Sequence, residues 1–157
     1  MTKKKATTEK KRALNRIVNV ILDTNFFIDM FRFKISFEDI EDVLQAKCNF
    51  WIVEQTIKEL KNTKAKEAKI ALIIIEDIIS GKGEYEKKIG ILKIGGKAKN
   101  TDDAIISLIS TLQKRSVLDL SFENLAIATN DIKLRGKIKK LGIKVIYLRA
   151  RKHLEAS

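Results

Sequence analysis

Short apolar runs and longer amphipathic segments alternate along most of the chain, and this alternation predicts strands and helices in turn. The apolar runs that predict buried strands lie at 17–22, 50–53, 89–94, 125–128 and 143–148. In the intervening segments, apolar residues recur every three or four positions, as on one face of a helix. Helices are predicted after Asn25, which is placed as a cap, from Ser36 onwards, and over 55–61, 64–79, 101–115 and 131–141.

The strand–helix rhythm predicts an α/β fold in which a mostly parallel central sheet has helices on both faces, in three layers. Ser36 is followed by acids, as at a capped helix start, and Gly81 and Gly142 are placed to end helices. The chain has no proline and no internal repeat. We therefore expect one domain over 17–150, a basic and flexible arm over 1–16, and a polar tail over 151–157.

Acidic residues follow the predicted strands or open the helices after them. Asp23 follows the first strand, Glu59 comes shortly after the second, and Asp131 follows the fourth, while Asp102 and Asp103 open a helix. Because the carboxyl ends of parallel strands share one edge of an open sheet, we expect these acids to meet there. Such a cluster is tolerable when cations neutralise it, and Mg²⁺ or Mn²⁺ suit carboxylate oxygens.

Each acid also has a purely structural interpretation. Glu59 stands three residues after Thr56, as in a capping box. Asp102 and Asp103 would favour the positive end of a helix dipole, and Asp131 would cap a helix. Asp23 would form a turn with Asn25. Only their joint placement at one edge favours a functional role.

Composition and charge narrow the possible partners. Lys and Arg outnumber Asp and Glu by 32 to 20, for a formal charge of +12 over 157 residues. This charge favours a polyanion such as nucleic acid, although a solubilising surface or the composition of a heat-loving organism would also explain it. One cysteine and one histidine exclude an internal disulfide, a structural zinc site and a histidine-based triad. No apolar run is long enough to span a membrane and no signal peptide is evident, so we expect a cytoplasmic protein without a membrane partner.

Four segments resemble, in order, the motifs of the PIN-domain nuclease family. The first is Val-Ile-Leu-Asp-Thr-Asn at 20–25, and the second runs from Thr56 to Leu60. The third is Thr-Asp-Asp-Ala-Ile at 101–105, and the fourth is Ala-Thr-Asn-Asp at 128–131. The resemblance extends over about residues 17–150 and implies a PIN-like (Rossmann-like) three-layer sandwich.

The resemblance implies endoribonuclease activity that requires one or two Mg²⁺ or Mn²⁺ ions. Asp23 and either Asp102 or Asp103 would be the principal ligands; the family position favours Asp102, and both are retained. Asp131 would complete the ligand set or act through water, and Glu59 would orient a bound water or bind a second ion. Residues expected to orient these carboxylates are Thr24, Asn25, Thr129 and Asn130.

Basic residues around the acidic edge are candidates for phosphate contacts, although a solvated helix face would explain any one of them. They are Arg32, Lys34, Lys133, Arg135, Lys137, Arg149, Arg151 and Lys152. The phenylalanines at 26, 27, 31 and 33 would stack on bases, or be buried in the core or at a homodimer interface, which their spacing favours.

Residues 31–34 and 144–148 resemble the subgroup that contains the small-subunit ribosomal RNA processing nucleases and their archaeal relatives. The implied substrate is precursor ribosomal RNA, with ribosome-assembly factors as partners. One alternative is a VapC-type toxin ribonuclease with an antitoxin partner, and another is a PIN-like module that binds RNA without cutting it. Two features depart from the family pattern: the basic arm and a long segment at 116–123.

Overall fold

The computed structural model describes residues 16–82, 89–94, 98–150 and 152–157, and a six-stranded sheet forms its centre. The strands are β1 (Ile17–Leu22), β2 (Lys47–Val53), β3 (Ile89–Leu92), β4 (Leu125–Ala128), β5 (Lys144–Arg149) and β6 (His153–Ala156). The helices are α1 (Thr24–Arg32), α2 (Phe37–Leu44), α3 (Glu54–Asn62), α4 (Lys66–Ser80), α5 (Thr101–Leu112) and α6 (Ile132–Lys140), with a 3-10 turn at Phe122–Asn124. The predicted basic arm lies outside the described residues, except for Arg16.

The strand order is β3-β2-β1-β4-β5-β6, and β1 to β5 are parallel. Val20 in the central strand lies opposite Phe50 of β2 on one side and Ala126 of β4 on the other. The chain therefore reverses its direction of travel across the sheet beside β1. Ligands bind at such a switch point, outside the carboxyl ends of the strands. The predicted α/β architecture, mostly parallel with helices on both sides, is confirmed.

The core lies on both faces of the sheet. Side chains alternate along β1, so that Val20 and Leu22 pack with Phe26 on one face, while Ile21 packs with Ile105 on the other. A strand buried on both faces reads as a continuous apolar run, which is why β1 was readily predicted. Among the described residues, no helix is both long and apolar enough to cross a membrane.

Capping residues predicted from the sequence mark the ends of the helices, with one correction. Ser36 and Asp39 form a reciprocal capping box at the start of α2, and Gly81 ends α4 at φ +71°. Asn25 does not cap α1: the helix begins at Thr24, and the cap is Asp23, whose Oδ1 accepts a hydrogen bond from the Thr24 amide. The capping position is therefore taken by Asp23, which was expected either to bind a metal or to form a turn with Asn25.

Two strands differ from prediction for a physical reason. β2 begins at Lys47 rather than residue 50, because its first half alternates exposed and buried side chains and so lacks a continuous apolar run. The predicted polar tail contains β6, which pairs antiparallel to β5 with Leu148 opposite Leu154. An edge strand exposes polar side chains, which conceals it in the sequence, and the sheet thus extends beyond the expected domain boundary at 150.

The long segment at 116–123 packs against β1. Val117 and Leu120 form an isolated antiparallel bridge, and Leu120 is fully buried. The Asn19 side chain donates to the Asp119 carbonyl at 3.0 Å and accepts from the Trp51 indole at 2.9 Å. Since this segment leads into β4, it lies toward the amino ends of the strands, away from the acids at their carboxyl ends.

Candidate metal centre

Asp23 lies at the carboxyl end of the central strand and is only 4% exposed. Its Oδ1 accepts a hydrogen bond from the Thr24 amide at 2.9 Å, and its Oδ2 accepts one from the Thr129 hydroxyl at 2.9 Å. Burial, and then the charges of Asp102 and Glu59, raise the pKa of Asp23 from 3.8 to about 6, against the opposing effect of both hydrogen bonds. A buried carboxylate in a field of other carboxylates favours a cation beside it.

Glu59 projects from α3 toward two other helix starts. Its Oε1 accepts a hydrogen bond from the Thr101 amide at 2.8 Å, and its Oε2 accepts one from the Thr24 hydroxyl at 3.1 Å. The capping box with Thr56 does not form, because α3 begins at Glu54 and Glu59 lies in its second turn. Glu59 therefore joins Thr24, which follows Asp23, to Thr101, which precedes Asp102.

Asp102 and Asp103 occupy the first turn of α5, whose cap is Asn100, accepting from the Asp103 amide at 2.8 Å. The pKa of Asp102 is raised by partial burial, then by Asp131, Glu59 and Asp103, while Lys137 opposes the rise. Asp102 is also one of the two acids whose charges raise the pKa of Asp23 most. Of the two adjacent acids, Asp102 is the one that lies within the field of the other carboxylates.

Asp131 caps α6 through a hydrogen bond from the Leu134 amide to its Oδ1 at 3.0 Å. Its own amide donates to the Thr129 hydroxyl at 3.1 Å, and that hydroxyl in turn donates to Asp23. The expected capping role and proximity to the other acids thus occur together. Thr129 links the end of β4 to the end of β1.

The residues expected to orient the carboxylates divide into two groups. Thr24 and Thr129 contact Glu59 and Asp23 directly, as described above. Asn130 instead donates to Asp29 at 2.9 Å and accepts from the Leu148 amide at 2.8 Å, so it ties α1 to β5. Asn25 is exposed, and within the described chain its side chain makes no hydrogen bond.

The donor set suits a hard divalent cation, because it consists of carboxylate oxygens. Each oxygen of Asp23 accepts a single hydrogen bond and keeps a free lone pair, and Asp102 accepts no hydrogen bond from the described residues. In the described part of the chain, however, no three acidic, histidine or cysteine side chains already stand together closely enough to hold a metal. Both Glu59 oxygens face threonines, so Asp23, Asp102 and Asp131 are the acids left to turn toward an ion.

The basic residues predicted to contact phosphate differ in their partners. Arg32 pairs with Asp29 at 3.2 Å and Glu67 at 3.7 Å, and Arg149 pairs with Glu155 at 3.2 Å. Arg135 stacks 4.0 Å from the centre of the Tyr147 ring. Four lysines are exposed and form no ion pair with described residues: Lys34, Lys133, Lys137 and Lys152. Arg151 lies outside the described residues.

A buried hydroxyl cluster escaped the sequence analysis. The Oγ1 atoms of Thr24, Thr56 and Thr101 lie 3.0–3.3 Å from one another beside Glu59. The signal available in the sequence was a threonine next to Asp23, one next to Asp102 and one three residues before Glu59. Threonine is so common at helix starts that capping explained it equally well.

Comparisons with known proteins agree with this geometry. No family model matches the chain. The chain is 27% identical over 144 residues to Ribonuclease VapC4 of Methanocaldococcus jannaschii, covering 87% of this chain and 94% of the relative. Its structure is similar to that of the PIN domain endonuclease Utp24, with a TM-score of 0.67, 25% identity, and coverage of 88% and 90% of the two chains.

A mostly parallel sheet in this order, with carboxylates gathered outside the ends of its central strands, defines a PIN-type fold. The chain is similar in sequence and structure to PIN-domain nucleases. The family resemblance seen in the four sequence segments is therefore confirmed.

Proposed function

We propose that this protein is a metal-dependent endoribonuclease that hydrolyses RNA phosphodiesters at the carboxylate cluster. The observation that carries the proposal is the convergence of Asp23, Glu59, Asp102 and Asp131 from four separate segments, which mutually raise the pKa values of Asp23 and Asp102. Such repulsion costs stability in a protein that never binds a cation there. Both similar proteins are nucleases by name, one a ribonuclease and one an endonuclease.

Asp23, Asp102 and Asp131 would hold one or two Mg²⁺ or Mn²⁺ ions, and Glu59 would fix the helix starts that present them. A bound divalent cation would neutralise the carboxylates, polarise the scissile phosphodiester and lower the pKa of water. Thr24 and Thr129 keep Asp23 oriented by donating, from the amide and the hydroxyl respectively, to its two oxygens. Lys133 and Lys137 on α6 would bind RNA phosphates beside the site, since Lys137 already acts electrostatically on Asp102.

Precursor ribosomal RNA is the substrate we propose, with ribosome-assembly factors as partners in the cytoplasm. The structural similarity to Utp24 over 88% of the chain and the subgroup resemblance of residues 31–34 and 144–148 support this role. A toxin ribonuclease with an antitoxin partner is the second candidate, supported by the similarity to Ribonuclease VapC4. A toxin should arrest growth when expressed alone and recover with its antitoxin, whereas a processing enzyme should leave growth intact and its absence should lengthen ribosomal precursors.

Cleavage of end-labelled RNA by the purified protein tests the enzyme assignment. A ribosomal precursor fragment, a folded hairpin RNA and an unstructured RNA would each be incubated with Mg²⁺, Mn²⁺ or EDTA. We expect metal-dependent cutting that falls by at least about 100-fold in Asp23→Asn and Asp102→Asn, because each removes a charged ligand. Asp103→Asn should retain most activity, since its neighbour Asp102 is the acid that acts on Asp23 most strongly.

Asp42→Asn is the matched control, because Asp42 is exposed on α2 and its side chain forms no hydrogen bond or ion pair within the described chain. Equal cleavage by wild type and Asp23→Asn would show a contaminating nuclease and refute the catalytic assignment. RNA binding without cleavage on all three substrates would favour the binding-module alternative.

A further inference from the structure

Three buried threonine hydroxyls meet where α1, α3 and α5 come together. Thr24 begins α1, Thr56 lies in the first turn of α3, and Thr101 begins α5; their exposed fractions are 5%, 0% and 1%. The oxygen–oxygen distances are 3.0 Å for Thr24–Thr101, 3.1 Å for Thr56–Thr101 and 3.3 Å for Thr24–Thr56. The cluster therefore joins residues separated by 32 to 77 positions in the chain.

Burying a hydroxyl costs free energy unless it is hydrogen-bonded, and valine would fill nearly the same space without that cost. Thr56 is fully buried, and within the described chain its hydroxyl contacts only the other two threonine hydroxyls. Core packing alone gives no reason for a polar side chain at that position.

The number of hydroxyl hydrogens determines which threonine donates to which. Each hydroxyl has a single hydrogen to donate. Thr24 lies within reach of both the Glu59 Oε2, at 3.1 Å, and the Thr56 oxygen, at 3.3 Å, and it can donate to only one of them. A carboxylate is the stronger acceptor, so Thr24 donates to Glu59. Thr101 then donates to Thr24, and Thr56 donates to Thr101.

This chain of hydrogen bonds runs from Thr56 through Thr101 and Thr24 to Glu59, and so includes a neighbour of each principal acid of the candidate metal centre. Thr24 adjoins Asp23 and Thr101 adjoins Asp102, while the Thr101 amide also donates to Glu59 at 2.8 Å. The helix α3 thus holds the starts of α1 and α5 through the Glu59 carboxylate, and the start of α5 a second time through the Thr56 hydroxyl. A misplacement of about 1 Å between groups of a catalytic site costs on the order of 100-fold in rate.

We propose that Thr56 is a positioning residue: its hydroxyl donates to Thr101, leaves the Thr101 hydrogen to Thr24, and so sets the spacing of Asp23 and Asp102. Thr56 makes no hydrogen bond to any carboxylate among the described residues, so it acts through Thr101 and, by way of Thr101, on Thr24. This inference rests on the proposed function, since the spacing matters only if the two acids bind the same ion or ions.

Thr56→Val and Thr56→Ser separate the hydroxyl from the methyl group. Valine keeps the shape and removes the hydroxyl, whereas serine keeps the hydroxyl and removes the methyl group. Mn²⁺ affinity would be measured by titration calorimetry without RNA, and cleavage would be measured over a range of Mg²⁺ concentrations. We expect Thr56→Val to lose about 10- to 100-fold in Mn²⁺ affinity and in cleavage rate, and Thr56→Ser to stay within about threefold of wild type.

Thr111→Val is the matched control, because Thr111 is on α5 and its hydroxyl bonds, among the described residues, only the Ser107 carbonyl one turn back. It should leave Mn²⁺ affinity unchanged. RNA binding in EDTA should be equal in all variants, and every measurement is made well below each variant's melting temperature. Wild-type affinity and cleavage in Thr56→Val would overturn the inference while leaving the proposed function intact. Equal defects in the serine and valine variants would also overturn it, because the methyl group would then be what matters. If wild type neither binds Mn²⁺ nor cleaves RNA, the proposed function and this inference both fail.

Discussion

At the scale of single residues, Asp23 carries a conflict between burial and charge. It is 4% exposed, yet it must be ionised to bind a cation, and its two hydrogen bonds from Thr24 and Thr129 only partly compensate for the lost water. The conflict is typical of functional carboxylates, since a site that is costly when empty gains most when its ligand arrives. Thr129 eases it by donating from the neighbouring strand end.

Replacing Asp23 with asparagine should therefore stabilise the metal-free protein, and increasingly so as the pH rises. Because the folded-state pKa is about 6 against 3.8, the folded state binds the proton more tightly. The contribution of Asp23 to the free energy of unfolding is thus greatest at low pH. It is lost between about pH 4 and pH 6 and remains absent at higher pH. The rise in pKa corresponds to about 3 kcal/mol, of which about 2 kcal/mol should develop between pH 4 and pH 8.

Urea unfolding in EDTA at pH 4 and pH 8 would measure this change. The difference in the free energy of unfolding between Asp23→Asn and wild type should grow by about 2 kcal/mol over that range. Asp42→Asn, at an exposed position, should show no such growth. A difference that is the same at both pH values would mean that Asp23 is not held at a raised pKa.

At the scale of elements, the site is assembled from the ends of helices. Asp23 caps α1, Asp131 caps α6, and Asp102 lies in the first turn of α5. The positive end of a helix dipole favours each of these carboxylates, by about 0.3–1 kcal/mol when exposed. The same three positions therefore serve both local helix formation and the candidate metal centre, so the structural and functional interpretations of these acids do not exclude one another.

The glycine in α6 offers a test of how far that helix is optimised for stability. Gly136 is exposed between Lys133 and Lys140, and an added Cβ would meet no atom within 4 Å. Gly136→Ala should raise the free energy of unfolding by about 0.5–1 kcal/mol, because alanine loses less backbone entropy in a helix. Thermal and urea unfolding would measure the gain.

Gly90→Ala is the contrasting variant, since its Cβ would collide with the Trp51 ring, and it should destabilise the protein. A loss of stability in Gly136→Ala would show that the α6 backbone is not the regular helix described here.

At the scale of the whole molecule, a small acidic cluster is set in a strongly basic protein. The formal charge is +12, yet Asp23, Glu59, Asp102 and Asp131 gather at one sheet edge. A positive field attracts a polyanion over a longer range than any single contact does. Without bound cations, however, the acidic cluster would repel the phosphates of that polyanion. Charge distribution alone would thus bring RNA to the surface and make its productive placement depend on the metal.

RNA affinity should consequently fall steeply with salt, and part of the slope should come from α6. The double variant Lys133→Gln and Lys137→Gln, measured in EDTA, should lower the slope of log affinity against log salt by about 1.4 to 1.8. Each lysine that no longer neutralises a phosphate accounts for about 0.7 to 0.9 of that change. Fluorescence anisotropy with labelled RNA at several salt concentrations would measure it.

The matched control is Lys66→Gln with Lys69→Gln, which removes the same charge from the exposed face of α4. An equal reduction of the slope in both double variants would mean that binding follows net charge and not a surface on α6.

Local patterns in the sequence were sufficient for most of the elements and for the edge where the acids meet. β1 and β4 are buried on both faces, so their apolar runs were distinct, and Ser36 and Gly81 marked helix ends through short-range chemistry. Parallel order follows from the strand–helix alternation, and it brings the ends of the strands to one edge. The α/β architecture was accessible in this way before any contact was known, and the PIN-type fold followed from the resemblance of the four motifs.

Tertiary structure alone decided the contacts that join distant segments. Glu59 accepts from Thr24 and Thr101, and the Thr56 hydroxyl lies beside the same two threonines. Asn130 ties α1 to β5. Each of these contacts joins residues that are far apart in the chain. The strand β6 likewise exists because β5 offers it an open edge and the core accepts Leu154, although its own sequence is largely polar. Sequence periodicity reports burial along one segment, whereas these features depend on what a second segment places opposite it.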